Sequence, residues 1–191
     1  MIPKSRLDAL TDGVFAFAMT LLVLDLRLPD TFHPASTAEL LDGLRELSGQ
    51  FLAYVISFFV LGIRWLAQAG ARGVPETTSG RYGRWVLTYL FFITCIPFST
   101  MVIGRYDDLA PAAWLYAANM ILSALASLRM SFLAEEEANR AADRRSRVVL
   151  LLLIVTALLS VAMSFVTPAY ATLAYLPNAL PLLVRKGTKH T

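Results

Sequence analysis

Charged side chains that could do chemistry stand near the two ends of the first long apolar stretch of the chain. Asp8 and Asp12 lie near its start, and Asp25 and Arg27 lie near its end. Exposing a carboxylate to lipid is costly, so Asp12 is either a proton or cation site or a structural acceptor for hydroxyl, indole or amide groups of neighbouring helices. The position of Asp12 favours the structural role. Asp25 and Arg27 are predicted to be charges at the membrane interface.

Side chains that form ordinary catalytic and metal sites are scarce in the rest of the sequence. His33 and His190 are the two histidines and Cys95 is the single cysteine, and the histidines have no partner at a metal-ligand or triad spacing. There is no Gly-rich phosphate loop, no paired-cysteine motif and no potassium-filter run of Thr-Val-Gly-Tyr-Gly. We therefore expect no enzyme activity, no bound metal and no cofactor, and an ion channel here would select ions without a carbonyl filter.

The composition is typical of a membrane protein. Of the 191 residues, 57% are hydrophobic and 16% are charged, whereas an average soluble domain has roughly 25% charged residues. The mean hydropathy is +0.58. The surface of such a chain suits hydrocarbon, which disfavours soluble enzymes and nucleic-acid binders. We expect no nucleic-acid partner despite the net charge of +3.

Six segments have, or approach, the roughly 20 apolar residues that span a bilayer. Prolines and glycines mark the breaks between them, and Pro177 and Pro181 should kink the last segment. The sequence predicts an all-α integral membrane bundle of six transmembrane helices, in a single domain over residues 1–191. The predicted spans are 7–28, 49–69, 85–103, 111–133, 148–166 and 168–184.

The distribution of basic residues predicts the orientation of these spans. With six crossings, only Arg27, Arg45 and Arg105 of the 17 lysines and arginines lie on one side of the membrane. An excess of Lys and Arg marks the cytoplasmic loops of membrane proteins. We therefore expect both termini of this multi-pass protein in the cytoplasm.

Two connecting segments carry further patterns. Between the first two spans, Ser36 and Glu39 form a capping-box pattern ahead of Leu40, Leu41 and Leu44, which predicts a short amphipathic helix. Between the fourth and fifth spans, glutamates at 135–137 precede four arginines within 140–147. This connector is predicted to extend two helices with Glu–Arg pairs along a face.

One face of the first span is a continuous stripe. At about 100° per residue, Asp12 falls about 140° away from Phe17, so the carboxylate and the stripe have different surroundings. The stripe is either an ordinary packing surface or the wall of a pore, and the pattern alone favours packing. Its members are Leu10, Gly13, Phe17, Leu21, Leu24 and Leu28, with Thr20 at its edge.

The same segment resembles a family signature. It reads Arg6, three residues, and then Leu10-Thr11-Asp12-Gly13-Val14-Phe15-Ala16 followed by an aliphatic run. This is similar to the first-helix signature of the bacterial relatives of transmembrane protein 175, the endolysosomal potassium channel, which has Arg, three residues, Phe-Ser-Asp, Gly-Val-Phe-Ala and an aliphatic run. Residues 57–65, 97–100 and 104–106 and the six-span layout extend the resemblance over most of the chain.

The resemblance implies a homotetrameric, potassium-preferring cation channel of the bacterial inner membrane, in which the first helix of each subunit lines the central pore. Phe17, Leu21 and Leu24 would be apolar pore layers, Thr20 a polar layer and Leu28 a residue near the outer mouth. The partners would be other copies of the chain, the lipid bilayer and monovalent cations, with permeant K⁺ in the pore and no cofactor.

The family motif at the start of the first helix would be structural. It comprises Arg6, Leu10, Thr11, Asp12 and Gly13, and it would tie the pore helix to its neighbours, with Trp65 as a possible interhelical partner. The chain departs from the family pattern in three places. Phe17 stands where smaller aliphatic residues are common, Leu10 replaces a phenylalanine, and Gln68 and Ala69 follow Trp65 where many relatives have a histidine.

Two other functions are consistent with the residues. A proton-coupled secondary transporter would use Asp12 as its coupling group, although the chain has no obvious inverted repeat. A membrane assembly factor without transport activity is the third alternative.

Overall fold

Helices account for most of the structure, as the apolar segments predict. The computed structural model describes residues 1–70, 76–138 and 144–178. The 3-10 helices Leu22–Asp25 and Pro168–Asn178 and the strands β1 (Ile2–Pro3) and β2 (Thr77–Thr78) accompany the α-helices. The α-helices are α1 (Lys4–Leu21), α2 (Thr37–Glu46), α3 (Ser48–Ala69), α4 (Gly80–Thr94), α5 (Ile96–Arg105), α6 (Ala110–Ala138) and α7 (Arg144–Ser164).

Five helical stretches of the described residues are long enough and apolar enough to cross a membrane. They are Lys4–Asp25, Ser48–Ala69, Gly80–Arg105, Ala110–Glu136 and Arg147–Ser164. The predicted all-α membrane architecture is confirmed. The sixth predicted segment, 168–184, is a 3-10 helix as far as Asn178 and lies outside the described residues beyond it. A sixth crossing therefore stays a prediction.

The first span changes geometry before its predicted end. The α-helix stops at Leu21, a 3-10 turn follows over Leu22–Asp25, and the chain from Leu26 onward is not helical. The prediction that the helical stripe continues to Leu28 is therefore wrong. Pro29 accounts for the last part of this difference, because the residue before a proline, here Leu28, is disfavoured in the α conformation.

The third span is two helices joined at Cys95. Pro97 occupies the first turn of α5, where a residue without an N–H costs no hydrogen bond. The chain stays hydrogen-bonded across the junction, since the Cys95 N–H donates to the Phe91 carbonyl (3.2 Å) and the Ser99 N–H donates to the Cys95 carbonyl (3.1 Å). The span therefore crosses as two segments, and α5 packs against α3 while α4 packs against α1 and α6.

The core of the bundle is centred on α6, which packs against α4, α5 and α7. Tyr116, Met120 and Ala124 of α6 are completely buried. The first span is the least buried of the five spans, and α1 contacts α3, α4 and α5 through one face only. In a single subunit, α1 therefore lies at the edge of the bundle.

A small strand pair that the sequence did not predict fixes the start of α1. Ile2 pairs with Thr78 and Pro3 with Thr77 in antiparallel register, and the Lys4 N–H donates to the Glu76 carbonyl (2.8 Å). Gly83 of α4 leaves room for the Ile2 side chain, since an added Cβ there would lie 2.8 Å from the Ile2 Cδ1 atom. The start of α1 is thereby tied to the start of α4.

The predicted capping box is confirmed at the start of α2. The Ser36 hydroxyl accepts the Glu39 N–H (3.2 Å), and the Glu39 carboxylate accepts the Ala35 N–H (2.6 Å). The leucines of this helix, at 40, 41 and 44, are exposed in the subunit.

Glu–Arg ion pairs occur where the connector between α6 and α7 is described, but they join different helices and do not run along one helix face as predicted. Glu135 forms an ion pair with Arg147 of α7. Glu136 pairs instead with Arg81 of α4, at 3.5 Å. These pairs join the ends of three helices on one side of the bundle.

Candidate functional site

Two faces of α1 have opposite surroundings. One face is buried against the subunit, and its residues recur at helical spacing: Leu7, Thr11, Phe15, Ala18 and, in the following 3-10 turn, Leu22. Phe15 is 1% exposed and its ring packs 6.1 Å from that of Tyr89 on α4. This face anchors α1 to the rest of the bundle.

The opposite side of the first span carries large apolar side chains that are exposed in the subunit. Phe17 is 73% exposed and Leu24 is 65% exposed, and Leu10 and Leu21 are each 44% exposed. No atom outside its own helix lies within 4 Å of a Cβ built on Gly13. The structure therefore places the helical part of the predicted stripe on an open face of the subunit, and it leaves Leu28 half-buried in a non-helical segment beyond it.

Thr20 is the polar member of this exposed face. Its hydroxyl donates within α1, to the carbonyl of Ala16 (3.0 Å) or that of Phe17 (2.9 Å). Because the hydrogen is used by the helix, the oxygen lone pairs are what the side chain presents outward. A ring of such oxygens between apolar layers can coordinate a partly dehydrated cation.

Asp12 makes an interhelical hydrogen bond at the other end of α1. The indole Nε1 of Trp65 on α3 donates to a carboxylate oxygen of Asp12 at 2.8 Å. The neighbouring Thr11 is buried and donates to the Leu7 carbonyl (2.8 Å), whereas Arg6 and Leu10 are exposed. The motif residues are thus split between the packed face of α1 and its open face, and Asp12 is held at the contact with α3.

A buried polar chain lies behind α1 and involves residues that sequence reasoning did not single out. Ser57 of α3 bonds to the Tyr116 hydroxyl (2.9 Å) and accepts from Thr100 of α5 (2.9 Å). The three hydroxyl groups are hydrogen-bonded to one another in the interior, so they need no water as a partner. Ser57 and Thr100 lie within segments that resemble the family, but nothing along the sequence indicated that they meet Tyr116.

Arg64 is the unexpected member of this interior. It was counted from sequence among the basic residues that orient the spans, yet only 4% of it is exposed. One guanidinium nitrogen donates to Ser123 of α6 (2.6 Å), and the guanidinium carbon lies 5.2 Å from the centre of the Tyr89 ring. The other two nitrogens have no hydrogen-bond partner within the described part of the chain. The sequence signal for this interior position was an arginine inside an apolar run. Arg64 was instead counted as one of the charges that orient the spans.

Metal-binding geometry does not occur in the described residues. No group of three or more His, Cys, Asp or Glu side chains there could hold a metal ion. The described site is an apolar surface with one hydroxyl group, that of Thr20.

Fold and site together define an α-helical membrane protein whose first span is anchored by one face and leaves a bulky apolar stripe open. Comparison with known proteins is consistent with this class. Residues 6–97 match the family model described as the endosomal/lysosomal potassium channel TMEM175. The match covers slightly less than half of the chain, and the family that it describes is one of ion channels.

Curated relatives are bacterial proteins named as potassium channels. One from Streptomyces collinus is 32% identical over 130 residues, which cover 66% of this chain and 62% of the relative. Another from a Chryseobacterium species is 31% identical over 123 residues, which cover 64% of this chain and 60% of the relative. The matched stretches thus span somewhat less than two thirds of these relatives.

A solved structure has the same fold. The crystal structure described as a lysosomal potassium-selective channel TMEM175 homolog from Chamaesiphon minutus superposes with a TM-score of 0.76 at 23% identity. The superposition covers 96% of this chain and 98% of that chain. The likeness extends the shared architecture beyond residue 97, over nearly the whole chain.

Proposed function

We propose that this chain forms a potassium-preferring cation channel, as a homotetramer in which four copies of α1 surround a central pore. The observation that carries the proposal is the open face of the first span, where Phe17 and Leu24 are exposed and the Thr20 hydroxyl lies between them. The potassium-channel names of the bacterial relatives support the ion.

The position of α1 explains why the pore should lie between subunits. Its buried face is occupied by contacts to α3 and α4, so the open face can only meet lipid or other copies. On a stripe that faces lipid, the Thr20 oxygen between Phe17 and Leu24 would have no polar partner outside its own helix. If the open faces of four copies of α1 surround an axis, each level of the pore wall consists of four identical side chains.

The pore would have apolar layers at Phe17, Leu21 and Leu24 and a hydroxyl layer at Thr20. With a rise of about 1.5 Å per residue in α1 and about 2 Å in the 3-10 turn, the layers from Phe17 to Leu24 span about 12 Å. Leu28 would stand nearer the outer mouth, in the non-helical chain that follows the 3-10 turn. Phe17 is the bulkiest of these side chains.

A narrow apolar constriction excludes water, and an ion must lose part of its hydration to pass. Conduction therefore requires the apolar side chains to move aside or the ring to widen. K⁺ is less costly to dehydrate than Na⁺, so such a constriction prefers K⁺ without a carbonyl filter. The Thr20 oxygens would offset part of the dehydration cost inside the constriction.

We also infer the topology from the distribution of charges. The protein would reside in the bacterial inner membrane with both termini in the cytoplasm, since that orientation puts Arg27, Arg45 and Arg105 alone outside. This arrangement requires the sixth crossing beyond Ser164. Accessibility of a terminal tag in spheroplasts and inside-out vesicles would test it.

The decisive experiment measures K⁺ flux and reversal potential with purified protein in liposomes and planar bilayers. We expect discrete channel currents that favour K⁺ over Na⁺. Leu24→Ala and Phe17→Ala should raise the current and weaken selectivity, because they shorten the apolar barrier. Leu158→Ala and Phe91→Ala are matched controls, since these side chains are similarly exposed on α7 and α4.

Other outcomes would point to a different function. Unchanged conductance in both α1 variants would contradict the pore assignment. Saturable, proton-driven uptake without discrete current steps would instead indicate a carrier that uses Asp12. Absence of transport of any monovalent ion by the purified protein would indicate an assembly role.

A further inference from the structure

A small cavity lies at the end of the first span, behind the proposed pore wall. Three elements meet around it: the 3-10 turn after α1, the first turns of α3, and the end of α5. Its lining includes Leu22, Asp25, Gln50, Tyr54, Thr100 and Gly104. The cavity leaves about 10 Å³ for the centre of a water-sized particle, which is about the space that one water molecule or one ion of similar size needs.

The cavity is lined by oxygen-bearing side chains, several of which are not otherwise used. Within the described residues, the Asp25 carboxylate, the Gln50 amide and the Tyr54 hydroxyl form no hydrogen bond or ion pair. All three side chains are half-buried. The hydroxyl hydrogen of Thr100 is committed to Ser57 (2.9 Å), which leaves its oxygen free to accept. The lone pairs of these oxygens are therefore available to a ligand in the cavity.

Close helix packing beside the cavity keeps it from collapsing. A Cβ added at Gly104 would lie 3.0 Å from the Gln50 Cα atom and 3.2 Å from the Ala53 Cβ atom, so α3 and α5 touch through their backbones here. At the preceding position of α3, a Cβ on Gly49 would lie 3.1 Å from a carboxylate oxygen of Asp107. The glycines fix Gln50 relative to α5, and Asp107 lies outside the lining of the cavity.

We propose that this cavity binds one monovalent alkali cation. Carboxylate, amide and hydroxyl oxygens are the ligands that hard cations prefer. A single carboxylate in the lining balances a single positive charge, whereas divalent cations are bound by several carboxylates or in larger cages. The site does not depend on conduction, because its lining includes the buried side chain Leu22 and none of the exposed side chains of α1.

The bound cation would fix the segment that carries Leu24. Asp25 follows Leu24 directly in the 3-10 turn, and a cation held between Asp25, Gln50 and Thr100 would join this turn to α3 and α5. The ion would thus hold the Leu24 layer in place from the side that faces away from the pore. Permeating ions would pass on the other side of this layer.

The test is the thermal unfolding midpoint of the purified full chain, measured in KCl, NaCl and N-methyl-D-glucamine chloride at constant ionic strength. We expect a saturable rise with KCl or NaCl that N-methyl-D-glucamine does not produce. Asp25→Asn should abolish the rise, and Tyr54→Phe, which removes only one hydroxyl, should shift it to higher salt. Asp30→Asn is the matched control, since Asp30 is an exposed carboxylate of the same loop outside the cavity.

Two further measurements separate this site from the pore and from water. Thr20→Val alters the proposed pore layer and should leave the salt-dependent rise intact, whereas loss of the rise in that variant would assign the ion to the pore. Rb⁺-soaked crystals should show an anomalous peak beside Asp25. A cavity without that peak, a rise that survives Asp25→Asn, or a response to CaCl₂ at far lower concentration would each overturn the proposal.

Discussion

Asp12 and Trp65 illustrate how one charged residue is accommodated at the residue scale. A carboxylate near the membrane is costly unless it is hydrogen-bonded, and the indole N–H of Trp65 supplies a bond at 2.8 Å. The bond joins α1 to α3 about one and a half turns from the nearest proposed pore side chain, Phe17. This placement supports a structural role for Asp12 over a role in ion coupling.

The Asp12–Trp65 bond should be more important for assembly than for permeation. Asp12→Asn and Trp65→Phe should both lower oligomer yield and the unfolding midpoint, because a hydrogen bond to a charged group contributes about 1.5–3 kcal/mol. Size-exclusion chromatography and thermal unfolding would measure the loss. Asp8→Asn is the control, since Asp8 is exposed and its ion pair, with Lys4, lies within the same helix. A fully stable Asp12→Asn protein that loses only proton dependence would contradict the structural role.

Arg64 presents the opposite case, a buried cation without a carboxylate partner among the described residues. The Tyr89 ring and the Ser123 hydroxyl are its contacts, and two guanidinium nitrogens remain unsatisfied in the described structure. Desolvation of a charge can exceed what such contacts return.

We therefore expect Arg64→Met to retain or raise the unfolding midpoint, because it replaces a buried charge by an apolar side chain of similar length. Ser123→Ala should lower stability by about 1–3 kcal/mol, since it leaves a further guanidinium N–H unpaired. Thermal unfolding in detergent would compare the two. A large loss in Arg64→Met would show that the guanidinium has a strong partner in the folded protein.

At the scale of elements, the break at Cys95 and the glycine contact between α3 and α5 shape the outer end of the subunit. The break coincides with Pro97, whose missing N–H is tolerated in the first turn of α5. The contact at Gly104 was not predictable, because the need for a glycine depends on which backbone lies opposite. Here that backbone belongs to Gln50, more than fifty residues away in sequence.

Gly104→Ala should therefore separate α3 from α5. Its Cβ would meet backbone at 3.0 Å, and the strain of inserting a methyl group into a packed contact costs about 1–3 kcal/mol. The unfolding midpoint should fall, and the alkali-cation response of the neighbouring cavity should weaken. Gly80→Ala is the matched control, since no atom lies within 4 Å of its added Cβ. Equal stability of the two variants would refute the close contact.

At the scale of the whole molecule, the open face of α1 separates the isolated subunit from the proposed assembly. A helix anchored on one side by Phe15, Ala18 and Leu22 and open on the other can meet lipid or another copy of the chain, and the proposed assembly uses the second arrangement. The exposed apolar surface of α7 differs in this respect. It carries Val155 and Leu158 without an interleaved hydroxyl layer of the kind Thr20 provides, and it suits lipid.

Cysteine cross-linking would test this arrangement directly. In a Cys95→Ala background, Leu24→Cys should form disulfide-linked dimers on oxidation, because four copies of residue 24 would meet near the axis. Val155→Cys, which is 60% exposed on α7, should not. Native mass spectrometry of the same samples should give four chains per particle. Cross-linking at residue 155 and not at residue 24 would invert the proposed packing.

The sequence by itself determined the membrane class, the first five spans, the capped helix before α3 and the family signature, because each depends on local composition or on spacing along one helix. Only the tertiary structure decided which face of α1 is buried, where the helix gives way to a 3-10 turn before Leu28, that Arg64 is interior, and that Asp25 and Gln50 line one cavity. These depend on which helices meet and how closely, and residues far apart in sequence set those contacts.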